Sequence, residues 1–262
     1  MTDLASPYDA MAAGFERQRA LPDEATHAVR SAVLTAVDRV DRPRLLDLGA
    51  GTGRIGWPFV AAGDDYVGID LSGGMLRVFA DRRASGRRAI LVQADGCELP
   101  FAAASFDAVL LVQVFGDLRD WRRLVDEARR VLHPHGTLIL GRTATPADGI
   151  DERMKRHLDM LLDERAVRPQ RKNGRENAAR SLAAAASATG EVIAATWRAE
   201  RTPRAFLDRH AGGVRFSRLP RAPREDALRV LAAWAQSEFG TLDASFTEIH
   251  RFEMQLFSFA EG

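Results

Sequence analysis

The sequence contains little cysteine, lysine or tyrosine, and it has no long hydrophobic run. Cys97 is the only cysteine in 262 residues, so a disulfide framework or a cysteine-based zinc site within one chain is excluded. No apolar run approaches the roughly 20 residues that a transmembrane helix needs. The first residues show no basic region followed by an apolar stretch, so no secretory signal is expected. These absences favour a cytoplasmic protein with no membrane partner.

The rest of the composition is that of an ordinary globular protein. Hydrophobic residues make up 46% of the chain and charged residues 28%, which excludes a disordered or collagen-like chain. The length suits one large α/β domain with an insert.

Basic residues are almost all arginine, and they are unevenly placed along the chain. Lys155 and Lys172 are the only lysines, and the arginine bias is typical of a GC-rich bacterial genome. The net charge is +1, but residues 151–224 hold an excess of eight positive charges. This segment is either a solvated surface or a place that holds an anionic ligand. No basic run interleaved with aromatic residues is present, so nucleic acid is not an expected partner.

Five short apolar runs alternate with helical segments between residues 44 and 142. The runs cover residues 44–48, 66–70, 89–95, 106–112 and 136–141. Apolar runs separated by helices predict βαβ units, and hence a parallel sheet that is buried on both faces. Residues 120–132 place apolar side chains at three- and four-residue spacings, which predicts the amphipathic helix before the fifth strand.

The pattern changes after residue 142. Residues 151–189 predict helices that end at Gly190, residues 191–197 predict a sixth strand, and residues 198–224 show no clear period. A helix is predicted from Pro223 to near Gly240, and the alternation after residue 250 predicts a final strand.

These elements predict a Rossmann-like, doubly wound α/β fold. Its seven-stranded sheet is mostly parallel with an antiparallel last strand, and a helical cap is inserted after the fifth strand. We expect residues 1–145 to form the N-terminal helices and most of the core. Residues 146–224 are then a basic helical insert, and residues 225–262 the closing helix and last strand of the core.

A glycine loop follows the first strand and supports two interpretations. Residues 51–56 match G-x-G-x-x-G, and Asp70 follows Gly51 by 19 residues, which is typical of an NAD-dependent oxidoreductase. Asp47, however, precedes Gly49 by two residues. An acid there suits a ligand that brings positive charge, such as the ammonium or sulfonium of S-adenosylmethionine.

Six motifs extend this pattern over about 100 residues. They are Leu-Asp-Leu-Gly-Ala-Gly-Thr-Gly at 46–53, Val-Gly-Ile-Asp-Leu-Ser at 67–72, Gln-Ala-Asp at 93–95, Leu-Pro-Phe at 99–101, Ser-Phe-Asp-Ala-Val at 105–109 and Val-Leu-His-Pro-His-Gly-Thr-Leu at 131–138. In these motifs and their order, residues 44–142 resemble class I S-adenosylmethionine-dependent methyltransferases, particularly the group that includes quinone-biosynthesis enzymes.

The resemblance implies contacts with the adenosine part of the cofactor. Asp70 is expected to accept hydrogen bonds from both ribose hydroxyls, with Leu71 and Met75 against the adenine. Asp95 is expected to accept a hydrogen bond from the adenine amino group, with Gly96 against the ring. Asp70 and Asp95 are also suited to capping the helices that follow them, and Met75 to the core.

Seven further residues are implied near the methionine part and the sulfonium. Asp47 is expected to organise the loop and the ammonium, and Tyr8 to place its ring near the sulfonium or to anchor a terminal helix. The complete set is Tyr8, Asp47, Gly49, Ala50, Gly51, Val112 and Gln113.

The implied reaction is methyl transfer to oxygen, nitrogen or carbon of a small-molecule acceptor, with S-adenosylhomocysteine as the other product. No metal-ligand set is recognisable, so no metal is expected, and no catalytic base is assigned. The resemblance also implies that residues 1–145 bind the cofactor and that the basic insert, residues 146–224, binds the acceptor. Arg198, Arg201 and Arg204 are the first candidates for binding an anionic or phenolic acceptor. Two alternative functions remain, an NAD-dependent oxidoreductase and a non-catalytic S-adenosylmethionine-binding protein. The sequence is compatible with a monomer and with a homodimer.

Overall fold

The structure is a computed structural model. It describes residues 6, 8–9, 12, 21–37, 40–82, 89–116, 118, 120–167, 173–211, 213, 216 and 219–259. The strands are β1 (Arg44–Leu48), β2 (Asp65–Asp70), β3 (Ile90–Gln93), β4 (Phe106–Val112), β5 (Leu132–Ala144), β6 (Ala188–Arg201) and β7 (Phe246–Ser258). The main helices are α1 (Asp23–Ala36), α2 (Trp57–Ala62), α3 (Gly73–Asp81), α4 (Trp121–Val131), α5 (Ile150–Glu164), α6 (Gly174–Ala185), α7 (Pro203–Ala211) and α8 (Arg221–Phe239).

The strands form one seven-stranded sheet in the order β3-β2-β1-β4-β5-β7-β6. Strand β1 pairs in parallel with β2 and with β4, and β4 continues in parallel to β5. In the β1–β2 register, Asp47 lies opposite Gly68. The carboxyl ends of β1, β2 and β4 therefore lie side by side, where ligands bind in open α/β sheets. The predicted fold, mostly parallel with antiparallel pairing at the end of the sheet, is confirmed.

Apolar side chains on both sides of the sheet explain why these segments become strands. Leu46, Leu48, Val109 and Leu111 all belong to one buried cluster. Helix α4 covers that cluster with its apolar face and begins at Asp120, whose carboxylate accepts hydrogen bonds from two backbone N–H groups of the first turn at 3.1 Å. This is an N-cap of the usual kind, and it fixes where the predicted amphipathic helix starts.

The chain divides into two compact units. The first comprises residues 1–142, 172–195 and 252–262, and the second comprises residues 143–171 and 196–251. The second unit has its own core, in which α5, α7 and α8 contribute Met154, Phe206 and Leu231. None of the helices in the described ranges is long and apolar enough to cross a membrane.

This division differs from the boundaries predicted from the sequence. Helix α6 was expected in the 146–224 insert, but Ala178 and Leu182 on this helix belong to the core cluster of the first unit. Helix α8 was expected in the core, but Ala227 and Leu231 pack in the second unit. The acceptor-binding role of the insert stays a prediction.

The prediction that Gly190 ends a helix was wrong. Helix α6 ends at Ala185, and Gly190 lies within β6. Pairing with the last strand begins at Ser187, whose N–H donates to the Ser258 carbonyl at 2.9 Å. A strand partner more than 60 residues away therefore overrides the helical pattern of the alanine-rich sequence before it.

We predict that Gly53→Ala destabilises the protein by about 2–5 kcal/mol. Gly53 has φ +80°, and a Cβ there would lie 2.3 Å from Phe79 Cδ2. A left-handed backbone costs an L-residue about 1–2 kcal/mol, and overpacking adds about 1–3 kcal/mol. Gly240→Ala is the matched control, because Gly240 also has φ +80° but has no atom near its Cβ position. Urea unfolding of both variants measures the difference, and equal losses would contradict the packing argument.

Candidate functional site

The glycine loop after β1 folds against the end of β2. The N–H groups of Gly49 and Ala50 donate to the Ile69 carbonyl at 2.8 and 3.0 Å, and the Gly51 N–H donates to Asp70 Oδ2 at 2.9 Å. Gly49 and Gly51 have φ +83° and +57°, a region that glycine occupies without a steric penalty. Among the described residues, a Cβ on Gly51 would meet only the Gly49 carbonyl oxygen, at 3.9 Å. The described part of the chain thus leaves space beside the loop at Gly51.

Asp47 lies at the head of this loop and is 2% exposed. The Tyr66 hydroxyl donates to its Oδ2 at 2.7 Å, but Asp47 Oδ1 is enclosed and receives no hydrogen bond from any described residue. Burial raises the pKa of Asp47 to about 6; Asp70 also raises it, whereas the Tyr66 hydrogen bond and Arg54 lower it. A buried carboxylate with one unsatisfied oxygen is costly. It is therefore a suitable place for a cationic group of a ligand.

Asp70 connects the glycine loop to the turn after β2. Its Oδ2 accepts from Gly51 N–H, and its Oδ1 accepts from Ser72 N–H at 2.8 Å. Burial raises the pKa of Asp70, and these backbone hydrogen bonds oppose that rise. The Leu71 N–H also acts on this carboxylate. A carboxylate has about four acceptor positions, so three backbone N–H groups do not use all of its capacity. The turn-forming role and the predicted ribose-binding role are compatible in this geometry.

Asp9 belongs to the site, although the sequence analysis did not select it. Its Oδ1 accepts from Ser72 Oγ–H and from Gly74 N–H, both at 2.7 Å, and its Oδ2 accepts from Ser6 N–H at 3.0 Å. These bonds, that of Ser72 first, lower the pKa of Asp9. Asp9 thus fastens the N-terminal segment to the start of α3. Its sequence signal is weak, because no local pattern pairs residues that are 63 positions apart.

Tyr8 lies next to Asp9, is partly buried, and donates its backbone N–H to Ser6 Oγ at 3.3 Å. Residues 10–11 and 13–20, which follow Tyr8 and Asp9 in the chain, lie outside the described residues. The role of the Tyr8 ring stays a prediction.

The residues predicted for the adenine differ in how accessible they are. Leu71 is 39% exposed beside Asp70, whereas Met75 is 3% exposed and presents little surface to a ligand. Asp95 is exposed, and its Oδ1 accepts from the Cys97 N–H at 2.8 Å, as a turn-forming aspartate does. Gly96 packs closely, since a Cβ there would lie 2.6 Å from a Leu124 methyl group.

The end of β4 brings Val112 and Gln113 to the same edge as the loop. Val112 is 9% exposed, and Gln113 has φ +54°, which is uncommon for a residue with a side chain. Gln113 Oε1 accepts from Arg54 Nη2 at 2.6 Å, so a side chain of the glycine loop reaches the end of β4. Sequence reasoning did not select Arg54. Strained backbone of this kind is typical of functional sites.

Other reactive side chains have ordinary environments. Burial raises the pKa of Cys97 to about 11, with Asp95 contributing, so the thiol stays protonated at neutral pH. His157 stacks on Trp234, and His250 is buried and bonded to Glu248 at 2.9 Å. Across the described part of the chain, no group of three or more His, Cys, Asp or Glu side chains could hold a metal ion.

The three arginines that were the first candidates for an anionic acceptor belong to the part of the chain after residue 195. Arg201 Nε lies 3.5 Å from Asp151 Oδ2, and Arg204 makes two hydrogen bonds to Asp243 at 2.5 and 2.8 Å. Arg198 is exposed. The charges of Arg201 and Arg204 are therefore compensated by carboxylates of their own unit.

Comparison with known proteins finds similarities that include the glycine loop. Residues 46–140 match the model of a family described as a methyltransferase domain. The demethylmenaquinone methyltransferase of Clavibacter sepedonicus is 34% identical over 144 residues, covering 55% of this chain and 59% of that protein. The enzyme of the same name from Thermobifida fusca is 35% identical over 141 residues, covering 53% and 60%. The chain thus spans about three fifths of the length of these relatives.

Solved structures share the fold over nearly the whole chain. The YcgJ protein from Bacillus subtilis aligns with a TM-score of 0.55 at 21% identity, covering 90% of this chain and 99% of that one. SpnF aligns with a TM-score of 0.58 at 19% identity, covering 97% and 95%. SpnF is described as a [4+2]-cyclase, so this likeness establishes the fold and not the reaction. The resemblance to class I methyltransferases is confirmed.

We predict that Asp47 makes the free protein less stable as the pH rises. The folded-state pKa of about 6 lies above the ordinary value of 3.8, so the folded state binds the proton more tightly than the unfolded state. The stabilisation is complete below about pH 4 and is lost as the pH rises through about 6, which amounts to about 3 kcal/mol.

Asp47→Asn cannot ionise and should lack this loss, whereas Asp81→Asn, at an exposed position of α3, should retain it. Chemical unfolding between pH 4 and 7 measures the effect. Parallel pH profiles for the wild type and Asp47→Asn would contradict the assignment.

Proposed function

We propose that this chain transfers a methyl group from S-adenosylmethionine to a small-molecule acceptor, in keeping with the match of residues 46–140 to a methyltransferase-domain family. The observation that carries the proposal is the buried Oδ1 of Asp47 at the head of the glycine loop, which has no hydrogen-bond donor among the described residues. The ammonium of the cofactor would supply the missing donor and the compensating charge. The neighbouring Asp70 has acceptor capacity left for ribose hydroxyls.

We assign the residues around the loop to successive parts of this cofactor. Asp47 would hold the ammonium, and Gly49, Ala50 and Gly51 would pass their backbone beside the methionine part. Asp70 would hold the ribose, with Leu71 and Met75 toward the adenine and Asp95 with Gly96 at its far edge. Tyr8, Val112 and Gln113 complete the proposed set. The space beside Gly51, where a Cβ would meet only one backbone oxygen of the described residues, supports close approach of a ligand.

Methyl transfer from a sulfonium depends more on the alignment of donor and acceptor than on acid–base catalysis. S-adenosylmethionine supplies a methyl group on a sulfonium, whose departure leaves a neutral thioether, S-adenosylhomocysteine. The protein has to hold the acceptor in line and exclude water. Arg54 and Gln113 connect the loop to the end of β4, and this fixed geometry suits positioning. The proposal assigns no catalytic base and uses no metal.

The acceptor is a small molecule that can be methylated on oxygen, nitrogen or carbon. The relatives are described as demethylmenaquinone methyltransferases, so a demethylated quinol is one acceptor to test, beside anionic and phenolic compounds. We place the reaction in the cytoplasm.

We predict that the protein binds S-adenosylhomocysteine, that it does not bind NAD, and that Asp70→Ala weakens the binding about tenfold to a hundredfold. Hydrogen bonds to a charged group contribute about 1.5–3 kcal/mol, which corresponds to that range of affinity. Asp81→Ala, an exposed aspartate on α3, is the matched control and should bind as the wild type does. Titration calorimetry with both ligands gives the affinities, and thermal unfolding checks that each variant is folded.

Tight binding of NAD without a response to S-adenosylhomocysteine would overturn the proposal in favour of an oxidoreductase. Binding of S-adenosylmethionine without methyl transfer to any of a panel of quinols, phenols, acids and amines would favour a non-catalytic binding protein.

A further inference from the structure

We propose that Arg175, with Arg142 beside it, binds an oxyanion on the methyl acceptor, either a carboxylate or a phosphate. The inference rests on the proposed function, and it moves the anion-binding role from Arg198, Arg201 and Arg204 to a residue of the first unit. Arg175 lies in the first turn of α6.

Arg175 is a partly buried cation that has no ion-pair partner among the described residues. Its Nη2 donates to Gln255 Oε1 at 3.1 Å, while its Nε is enclosed and has no acceptor in the same part of the chain. Within the described ranges, no carboxylate oxygen lies within 4.0 Å of this guanidinium. The five N–H donors of an arginine are therefore mostly unused by the protein at this position.

The charged side chains around Arg175 act on it at a distance and do not bind its guanidinium directly. Burial lowers the pKa of Arg175 and the Arg142 charge lowers it further, whereas Glu176, Glu253 and Glu191 raise it from a distance. An arginine stays protonated under these conditions, so the positive charge persists. A bound oxyanion would give this cation the direct, charge-assisted hydrogen bonds that the protein does not.

Neighbouring side chains hold Arg175 in place. Gln255 accepts from Arg175 and donates its own Nε2–H to Glu191 Oε1 at 3.1 Å, which fixes the orientation of the amide. Arg142 makes two hydrogen bonds to Glu253 Oε2, at 2.9 and 2.7 Å. We therefore assign the direct contact to Arg175, and to Arg142 a contribution through its charge.

The location of Arg175 is the edge where the methyl acceptor is expected. A Cβ on Gly174 would lie 3.6 Å from Phe115, which is in the turn directly after β4 and Gln113. Arg142 follows Gly141, whose carbonyl accepts from Gln113 N–H at 3.3 Å. Both arginines thus lie at the carboxyl ends of β4 and β5, on the same edge of the sheet as the glycine loop.

The test uses benzoate and phenyl phosphate as anionic probes and benzamide as the neutral counterpart of benzoate. Each is titrated into the full-length protein saturated with S-adenosylhomocysteine. We expect at least tenfold weaker binding of the better anion to Arg175→Gln, and an intermediate loss in Arg175→Lys, which keeps the charge but not the planar donor set. Arg180→Gln is the control, because it removes the same charge from an exposed position of α6.

Equal affinity of the wild type and Arg175→Gln for both anions would overturn the inference, as would benzamide binding as well as benzoate, or no anion binding at all. Should Arg175→Gln fail to fold, the Arg175→Lys titration decides in the same way. The ratio of benzoate to phenyl phosphate affinity distinguishes the two oxyanions. The affinity for S-adenosylhomocysteine is measured first in every variant and tests the proposed function separately. A wild type that does not bind S-adenosylhomocysteine would contradict that function. The anions are then titrated into the free protein.

Discussion

The hydrogen bond from the Tyr66 hydroxyl to Asp47 is the interaction on which the rest of the site depends. It joins two neighbouring parallel strands in the buried core and satisfies one oxygen of a carboxylate that burial would otherwise keep neutral. The other oxygen remains without a donor among the described residues. The negative charge of this carboxylate at the head of the glycine loop favours a cation.

The geometry of the loop follows from the same constraint. Once Asp47 is fixed, the chain must turn immediately, and left-handed glycines carry it back to the end of β2, where Asp70 receives the Gly51 N–H. Next to Asp70, Asp9 and Ser72 together cap the start of α3. Three aspartates from distant parts of the sequence thus define one edge of the sheet. Each uses backbone N–H groups or a hydroxyl to keep its carboxylate in place.

The order of apolar and polar residues predicted those strands whose position depends on their own sequence. The apolar runs of β1 and β4 were predicted with the bounds that they have, because strands buried on both faces leave a continuous signal. Gly190 and α8 were misplaced, because their positions depend on partners far away in the sequence. The same reason applies to the candidate site. Asp47 and Asp70 lie at the ends of strands that the sequence predicts, so they could be selected from it, whereas Asp9 and Arg175 make contacts that no short motif encodes.

The central claim is that Asp47, with a hydrogen-bond donor on only one of its two oxygens among the described residues, binds a cationic group of a ligand. Titration of Asp47 tests this claim most directly. Carbon-13 NMR of the aspartate carboxyl groups, assigned with Asp47→Asn, gives the pKa in the free protein and with S-adenosylhomocysteine bound. The account predicts a pKa of about 6 in the free protein and a marked fall on binding, because the ammonium favours the ionised carboxylate. A pKa near the ordinary value of 3.8 in the free protein, or one that does not move on binding, would contradict it.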